Sequence, residues 1–299
     1  MHLKSTFFTI LAIIALALSS AHADDWDDEW DDDFDRDAIA RLVAPIALYP
    51  DAIVSQILVA ATYPLEVVEA ARWLKKHPHY RGQRAVEAAK AQGWDPSVQS
   101  LVAFPELLQR MSQNLRWLQR LGEAFLTDEA EVLAVIQDLR QQADQAGRLD
   151  EFDNIVVVRE PRKRIIVLEP RRTDVIYLPY YDPYYVFAGW HYIDDPIVWY
   201  PPHHHYFVRP VFWTPGFRLS FGLFWTGIHW HHHRVIIWQR PRHIYRYRDI
   251  RRVRIGTDVT VWRHNPQHRR GAIYRSHTLR TQYPVRRQIT TSSRVHPDQ

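Results

Sequence analysis

Histidine is the residue type whose spacing in this chain reads most directly as chemistry. His229, His231 and His233 alternate along the sequence, and in an extended segment side chains two apart project to one face. His203 and His205 repeat that spacing. If the two segments pair, five imidazoles converge, a donor set suited to zinc, copper or nickel. A low-complexity histidine tract binds the same metals loosely, as an affinity tag does. No acidic neighbour in the sequence supplies the carboxylate that usually orients a ligating imidazole. Metal binding by His203, His205, His229, His231 and His233 is therefore the alternative expectation.

Carboxylates are the second candidates. Asp182, Asp194 and Asp195 offer pairs for acid–base work. They sit among Pro and Tyr, where Asp serves turn geometry on its own. Residues 24–36, DDWDDEWDDDFDR, are dense in Asp but lack the central Gly and closing Glu of an EF-hand loop. There is no G-x-S-x-G elbow, no H-E-x-x-H, no P-loop and no dinucleotide glycine run. The absence of cysteine removes thiol nucleophiles, disulfides and a lipobox anchor. No catalytic or cofactor-binding residue is assigned, and a hydrolase is the most distant class.

The formal charge of +4 conceals a strong asymmetry. Residues 24–36 are nearly all acid, with Trp26, Trp30 and Phe34 interleaved, and their self-repulsion forbids a packed core. Residues 200–299 carry 18 arginines, no lysine and three acids. Such a stretch predicts an anionic partner: a lipid headgroup, a lipopolysaccharide phosphate or an acidic envelope protein, each met by bidentate guanidinium contacts. The aromatic runs at residues 221–225 and 228–230 are too short to span a bilayer, and fit either a small sheet core or a membrane interface.

The N-terminus predicts the compartment. Lys4 supplies a positive start, residues 7–18 are apolar, and Ala21-His22-Ala23 fits a signal-peptidase site. Residues 1–23 are read as a cleaved signal peptide, the mature chain as periplasmic with no further membrane span. Export in turn argues against nucleic acid as the target of the arginines.

These residues must be positioned by an α+β fold: an all-helical domain over residues 37–150, a small antiparallel β/aromatic module over 151–238, and an Arg-rich tail, mostly disordered, over 239–299. Residues 42–74 are the densest apolar stretch. Pro45, Pro50 and Pro64 cut it, because proline lacks a donor and clashes with the preceding turn but suits a first helical position. In the helix after Pro64, Leu65, Val68, Ala71 and Leu74 are expected inward and Glu66 and Glu69 outward. Beyond Pro105, Leu108, Met111, Leu115, Leu118 and Phe125 mark the stripe of one long helix. Thr127 is expected to cap the last helix and Gly147 to stop it. Residues 155–158, 164–168 and 175–178 read as three strands of one small sheet, and residues 217–230 as an aromatic hairpin.

Three segments carry a resemblance. LVAPIALYPDAIVSQILVAATYPLEVVEAARWL, WDPSVQSLVAFPELLQRMSQNLRWLQRLGEAF and IIVLEPRRTDVIYLPYYDP together resemble an exported bacterial family, domain-of-unknown-function family 3300 (DUF3300). The likeness covers roughly residues 38–190. It implies an exported protein of Gram-negative bacteria and transfers no catalytic residue. The usual family tail is richer in Gly and Asn, whereas this one is rich in Arg and His.

Overall fold

Proline steps steer the helical region. The computed structural model describes residues 34–192, 211–218, 223–242 and 245–284, so the expected signal peptide and residues 24–33 lie outside them. Helix α1 (Arg36–Val43) is capped by Asp35, whose carboxylate accepts from the Ala38 amide at 2.6 Å. Asp35 and Arg36, expected in the acidic segment, thus belong to the first helix. After Pro45 and Pro50 comes α2 (Asp51–Ala61), and every residue from 42 to 64 is buried. A helix apolar on all sides has no face to give to water, so the others pack round it. Pro64 opens α3 (Pro64–Lys76) at 111° to α2, with Tyr63 held out of the helical region as the residue before a proline must be. No single helix among the described residues is long and apolar enough to cross a membrane.

The face of α3 differs from the expected one. Glu66, Val67, Ala70 and Leu74 are buried, while Leu65 is 40% exposed. Apolar and small residues fill both candidate stripes, so hydrophobicity alone leaves the rotation open. The partners of Glu66, described below, decide it. Helix α4 (Gln83–Ala89) precedes a left-handed Gly93 (φ 68°), and Asp95 caps α5 (Pro96–Leu101) through the Ser97 amide at 2.8 Å.

The long helix expected after Pro105 is two helices. α6 (Pro105–Gln113) ends where Asn114 leaves the helical region and its Nδ2 donates to the Arg110 carbonyl at 2.8 Å. α7 (Leu115–Thr127) begins at the next residue. The phase of the apolar stripe resets with it, leaving Leu115 46% exposed. Gly122 of α7 presses on α2 so closely that a Cβ would lie 2.2 Å from the Ala61 carbonyl oxygen. Asp128, rather than Thr127, caps α8 (Glu129–Gln145), accepting from the Glu131 amide at 2.9 Å. Val132, Ile136, Leu139 and Ala143 are buried along α8, and Gly147 (φ 70°) ends the helical region.

Small antiparallel sheets follow. β1 (Ile155–Glu160) pairs with β2 (Ile165–Pro170), Ile155 opposite Pro170. The third expected strand leaves this sheet: β3 (Val175–Ile176) pairs with β6 (Phe217–Arg218), and β4 (Pro179–Tyr181) with β5 (Val211–Trp213), the one-turn helix α9 (Pro183–Val186) following β4. β7 (Phe224–His229), β8 (Arg234–Arg242) and β9 (Val259–Val261) form a three-stranded sheet in that order. β7 lies on α2, where Gln56 donates to the Thr226 hydroxyl at 2.6 Å and Thr226 to Ser55 at 3.0 Å.

The tail expected to be mostly disordered from residue 239 is folded over residues 245–284. Its short helices α10 (Tyr247–Ile250) and α11 (His277–Gln282) bury Tyr247, Ile250 and Leu279, and Trp262, Arg269 and Tyr274 are buried between them. Charge pairing and single aromatic anchors hold the segment in place of an apolar stripe, so hydrophobic periodicity does not reveal it.

Candidate functional site

The histidine tract is a hairpin turn. β7 ends at His229, Trp230–His232 make one 3-10 turn, and His233 sits in the left-handed region (φ 47°) before β8 opens at Arg234. The extended segment that would project His229, His231 and His233 to one face is therefore not formed. His229 and His231 rings stand 5.9 Å apart, His229 and His232 rings 4.5 Å. His231 Nε2 lies 3.1 Å from each of Glu160 Oε2, Tyr247 Oη and Lys163 Nζ, so that nitrogen is already engaged, and beside an ammonium. Glu160 is the acidic neighbour that the sequence failed to show, because it comes from β1. Burial alone would raise its carboxyl, but the hydrogen bonds of His231 and Arg251 hold it below its ordinary value. Burial, with His232 beside it, pushes the His229 imidazole down from 6.5. Among the described residues no group of three or more His, Asp or Glu is placed to hold a metal ion. His203 and His205 lie outside those residues, as do Asp194 and Asp195. Asp182 caps α9 through the Tyr184 amide at 2.9 Å, the turn role expected of it.

Five arginines of residues 234–275 meet acids from elsewhere in the fold. Arg234 pairs with Glu129 (2.9 Å), Arg246 with Glu169 (2.8 Å) and Arg251 with Glu160 (2.8 Å). Arg270 joins Glu66 (3.1 Å) and Glu69 (2.8 Å), and His268 Nδ1 meets the same Glu66 oxygen at 2.9 Å. Arg269, buried under the Tyr274 ring, lies 3.4 Å from Glu123, which also accepts from the Arg275 and Ser276 amides. Part of the positive charge assigned to an anionic partner thus neutralises the chain's own acids.

Among the described residues the interior also buries Asp51 together with its partner Arg140. Its carboxylate meets the fully buried Arg140 at 2.7 Å and takes hydrogen bonds from the Trp230 indole and the Leu168 amide. Burial raises the Asp51 carboxyl, and Arg140 and the indole draw it back. The void beside it measures about 10 Å³, room for at most one water, and this hub ties the structure together.

A set of cations without acidic partners lies on the helical region. Two cavities, of about 400 and 420 Å³, meet at Gln113. Arg41, Arg116 and Arg120 line the first, Arg72, Lys75 and Arg81 the second, and no carboxylate lines either. None of the six cations makes an ion pair among the described residues; the Arg41 guanidinium lies 5.4 Å over the Tyr192 ring. Asp37, one turn before Arg41, accepts from the Tyr192 hydroxyl at 2.7 Å. The Arg120 Nε is buried without a hydrogen-bond partner. This face escaped the sequence reading, which followed the apolar stripe of residues 105–125. The available signal was the polar side of the same stretch: Arg110, Arg116 and Arg120, with Glu106 and the buried Glu123 as its acids.

A family profile described as "Protein of unknown function (DUF3300)" matches residues 35–264. The Escherichia coli (strain K12) protein named "Uncharacterized protein YacH" is 34% identical over 254 residues, which cover 73% of this chain and 38% of that protein. The chain therefore spans less than half the length of this curated relative. No solved structure matches. With the family match running from the cap of α1 through β9 to His264, the chain belongs to the DUF3300 family of proteins of unknown function.

Proposed function

We propose that this chain is an exported, non-enzymatic binding component of the bacterial cell envelope, and that it engages an anionic partner through the cationic face of α1, α3, α6 and α7. One observation carries the reading: six cations line two adjoining cavities with no carboxylate among them, while Arg234, Arg269 and Arg270 of the C-terminal half pair inward. Like charges gathered without counter-charge are unfavourable alone and become favourable against an anionic surface. The signal-peptide pattern of residues 1–23 supports the compartment.

The test is co-sedimentation of the chain with phosphatidylglycerol and with phosphatidylcholine vesicles. Binding is expected to the first only and to weaken with salt, since each cation near an anionic surface contributes about 1 kcal/mol. Arg72→Glu/Lys75→Glu/Arg81→Glu should lower the affinity by about tenfold or more. Equal binding of wild type and variant removes the reading. Fractionation of intact cells tests export directly, and a mature N-terminus at Met1 in periplasmic material would refute cleavage.

A second reading, zinc, copper or nickel at the histidines, is favoured by His229 alone. Its buried Nδ1 has no hydrogen-bond partner, and His232 stands beside it. Zinc titration of wild type and His229→Ala distinguishes a built site, which raises the melting temperature in the wild type only, from a loose tract that binds both alike.

A further inference from the structure

The cavity at the break between α6 and α7 differs in kind from its neighbour. Its three cations are all arginine: Arg41 from α1, and Arg116 and Arg120 one turn apart on α7. Like charges at i and i+4 destabilise a helix, so this pair is placed against local helical preference. Guanidinium, unlike ammonium, offers a planar fork that meets phosphate oxygens two at a time. The first turn of α7 lines the same cavity, and its N-cap residue Asn114 makes no side-chain cap, its amide being turned to Arg110 instead. The positive end of this 13-residue helix adds to the guanidinium field. The Arg120 Nε is buried without a hydrogen-bond partner among the described residues.

The apolar half of the cavity is equally specific. Leu42 and Trp117 are buried at its base, and Leu115 stands 46% exposed at its wall. A leucine left to water beside three guanidinia is a poor surface for a simple ion and a good one for an anion that carries an apolar body. Three cations exceed the single charge of a phosphodiester and suit the near-dianion of a phosphate monoester. At about 400 Å³ the cavity falls in the range of small-ligand sites, roughly 300–1,000 Å³, and holds a headgroup with the start of a chain rather than a whole lipid.

We infer that the Arg41–Arg116–Arg120 cavity binds the phosphate monoester head of an amphiphile, the phosphate between the guanidinia and the first turn of α7, the apolar portion along Leu115 and Trp117. This rests on the envelope-binding reading and narrows it to one ligand chemistry. Arg72, Lys75 and Arg81 then supply diffuse attraction to the surface, and the neighbouring cavity selects the head.

The test is calorimetric titration of the full chain with three soluble probes: dihexanoyl phosphatidic acid below its micelle concentration, dihexanoyl phosphatidylcholine, and inorganic phosphate. Saturable binding of the phosphatidic acid is expected, with none of the phosphatidylcholine. Inorganic phosphate should bind about tenfold more weakly, for want of the apolar contact. Arg116→Gln/Arg120→Gln should weaken phosphatidic acid by about a hundredfold, two charge-assisted contacts being lost, while phosphatidylglycerol vesicle binding through the other cavity stays within about threefold. Leu115→Ser, at an exposed position that does not threaten the fold, should weaken phosphatidic acid by about fivefold and leave inorganic phosphate unchanged.

Equal affinity for phosphatidic acid and phosphate, or for phosphatidic acid and phosphatidylcholine, overturns the inference. So does an unchanged affinity in the arginine variant. If the soluble probes fail but anionic vesicles still bind, this site falls and the envelope reading stands. If vesicles fail as well, both fall.

Discussion

The Arg140 guanidinium and the Asp51 carboxylate meet at 2.7 Å in the interior, and Arg140 has no exposed surface. Arg140 also donates to the carbonyls of Ala47 (2.8 Å), Tyr49 (3.2 Å) and Ile166 (2.9 Å), so one side chain joins the first Tyr-Pro corner to α8 and β2. Trp230, at the tip of the histidine turn, closes the circuit on the other Asp51 oxygen. Removing one member leaves a buried charge without its counterpart. Arg140→Ala is expected to cost about 3–5 kcal/mol in urea denaturation, and Asp51→Leu/Arg140→Met distinctly less than the sum of its parts. Additive costs would show that the pair is not coupled.

The second prediction concerns residues 245–284. Arg269 holds them to the helical region through Glu123 and the Thr62 carbonyl (3.2 Å), and braces the segment itself through the Ile273 carbonyl (3.0 Å). Trypsin should spare this segment in the wild type despite its many arginines, because cleavage requires the backbone to open. Arg269→Ala is expected to destabilise by about 3 kcal/mol and to expose the segment to trypsin. Rapid loss of the segment from the wild type would contradict its packing.

Leu58 and Leu115 separate a core position from a surface one. Leu58 is fully buried on α2 and Leu115 half-exposed at the start of α7. Leu58→Asp should unfold the chain, since an unpaired buried carboxylate costs several kcal/mol, comparable with the whole stability of a domain. Leu115→Asp should move the melting temperature by less than about 2 °C, as surface substitutions do. A cooperative melt of Leu58→Asp close to that of the wild type would remove α2 from the core.

Acid should loosen the C-terminal segment through His264. Burial, with Arg269 and His268 nearby, pushes this imidazole from 6.5 to about 3. Its ring stacks on Tyr63 at 5.2 Å and its Nε2 lies 2.7 Å from Tyr274 Oη, with the Tyr283 ring 5.0 Å away. Between pH 6.5 and 3 the unfolded chain binds a proton here that the folded chain refuses, so stability falls as pH drops through that window. Thermal melts should show a steeper loss below pH 6.5 in the wild type than in His264→Gln. Parallel curves would mean that His264 titrates freely. Carboxylates such as Glu160 add their own loss at lower pH in both proteins, which is why the difference between the curves is the measurement.

Local chemistry was legible in the sequence wherever it acts through neighbours in the chain. Proline at a first helical position opened α3, α5 and α6, Asp95 capped α5, Gly147 ended the helical region, and the apolar density of residues 42–64 marked the centre of the core. The helical region followed by small antiparallel sheets came from the same signals, since period and punctuation are properties of short windows. Tertiary structure alone decided what depends on groups far apart in sequence. The rotation of α3 was set by His268 and Arg270 reaching Glu66 from some 200 positions away, and the folding of residues 245–284 by Glu123 receiving Arg269. The histidine tract became a turn because β7 and β8 pair, with His231 then meeting Glu160 from β1. The cationic face arose because Asn114 breaks a helix that periodicity would continue, turning Leu115, Arg116 and Arg120 toward α1. A charge finds its partner, or remains without one, only in three dimensions, and in this chain that distinction separates the arginines that hold the fold from those open to a ligand.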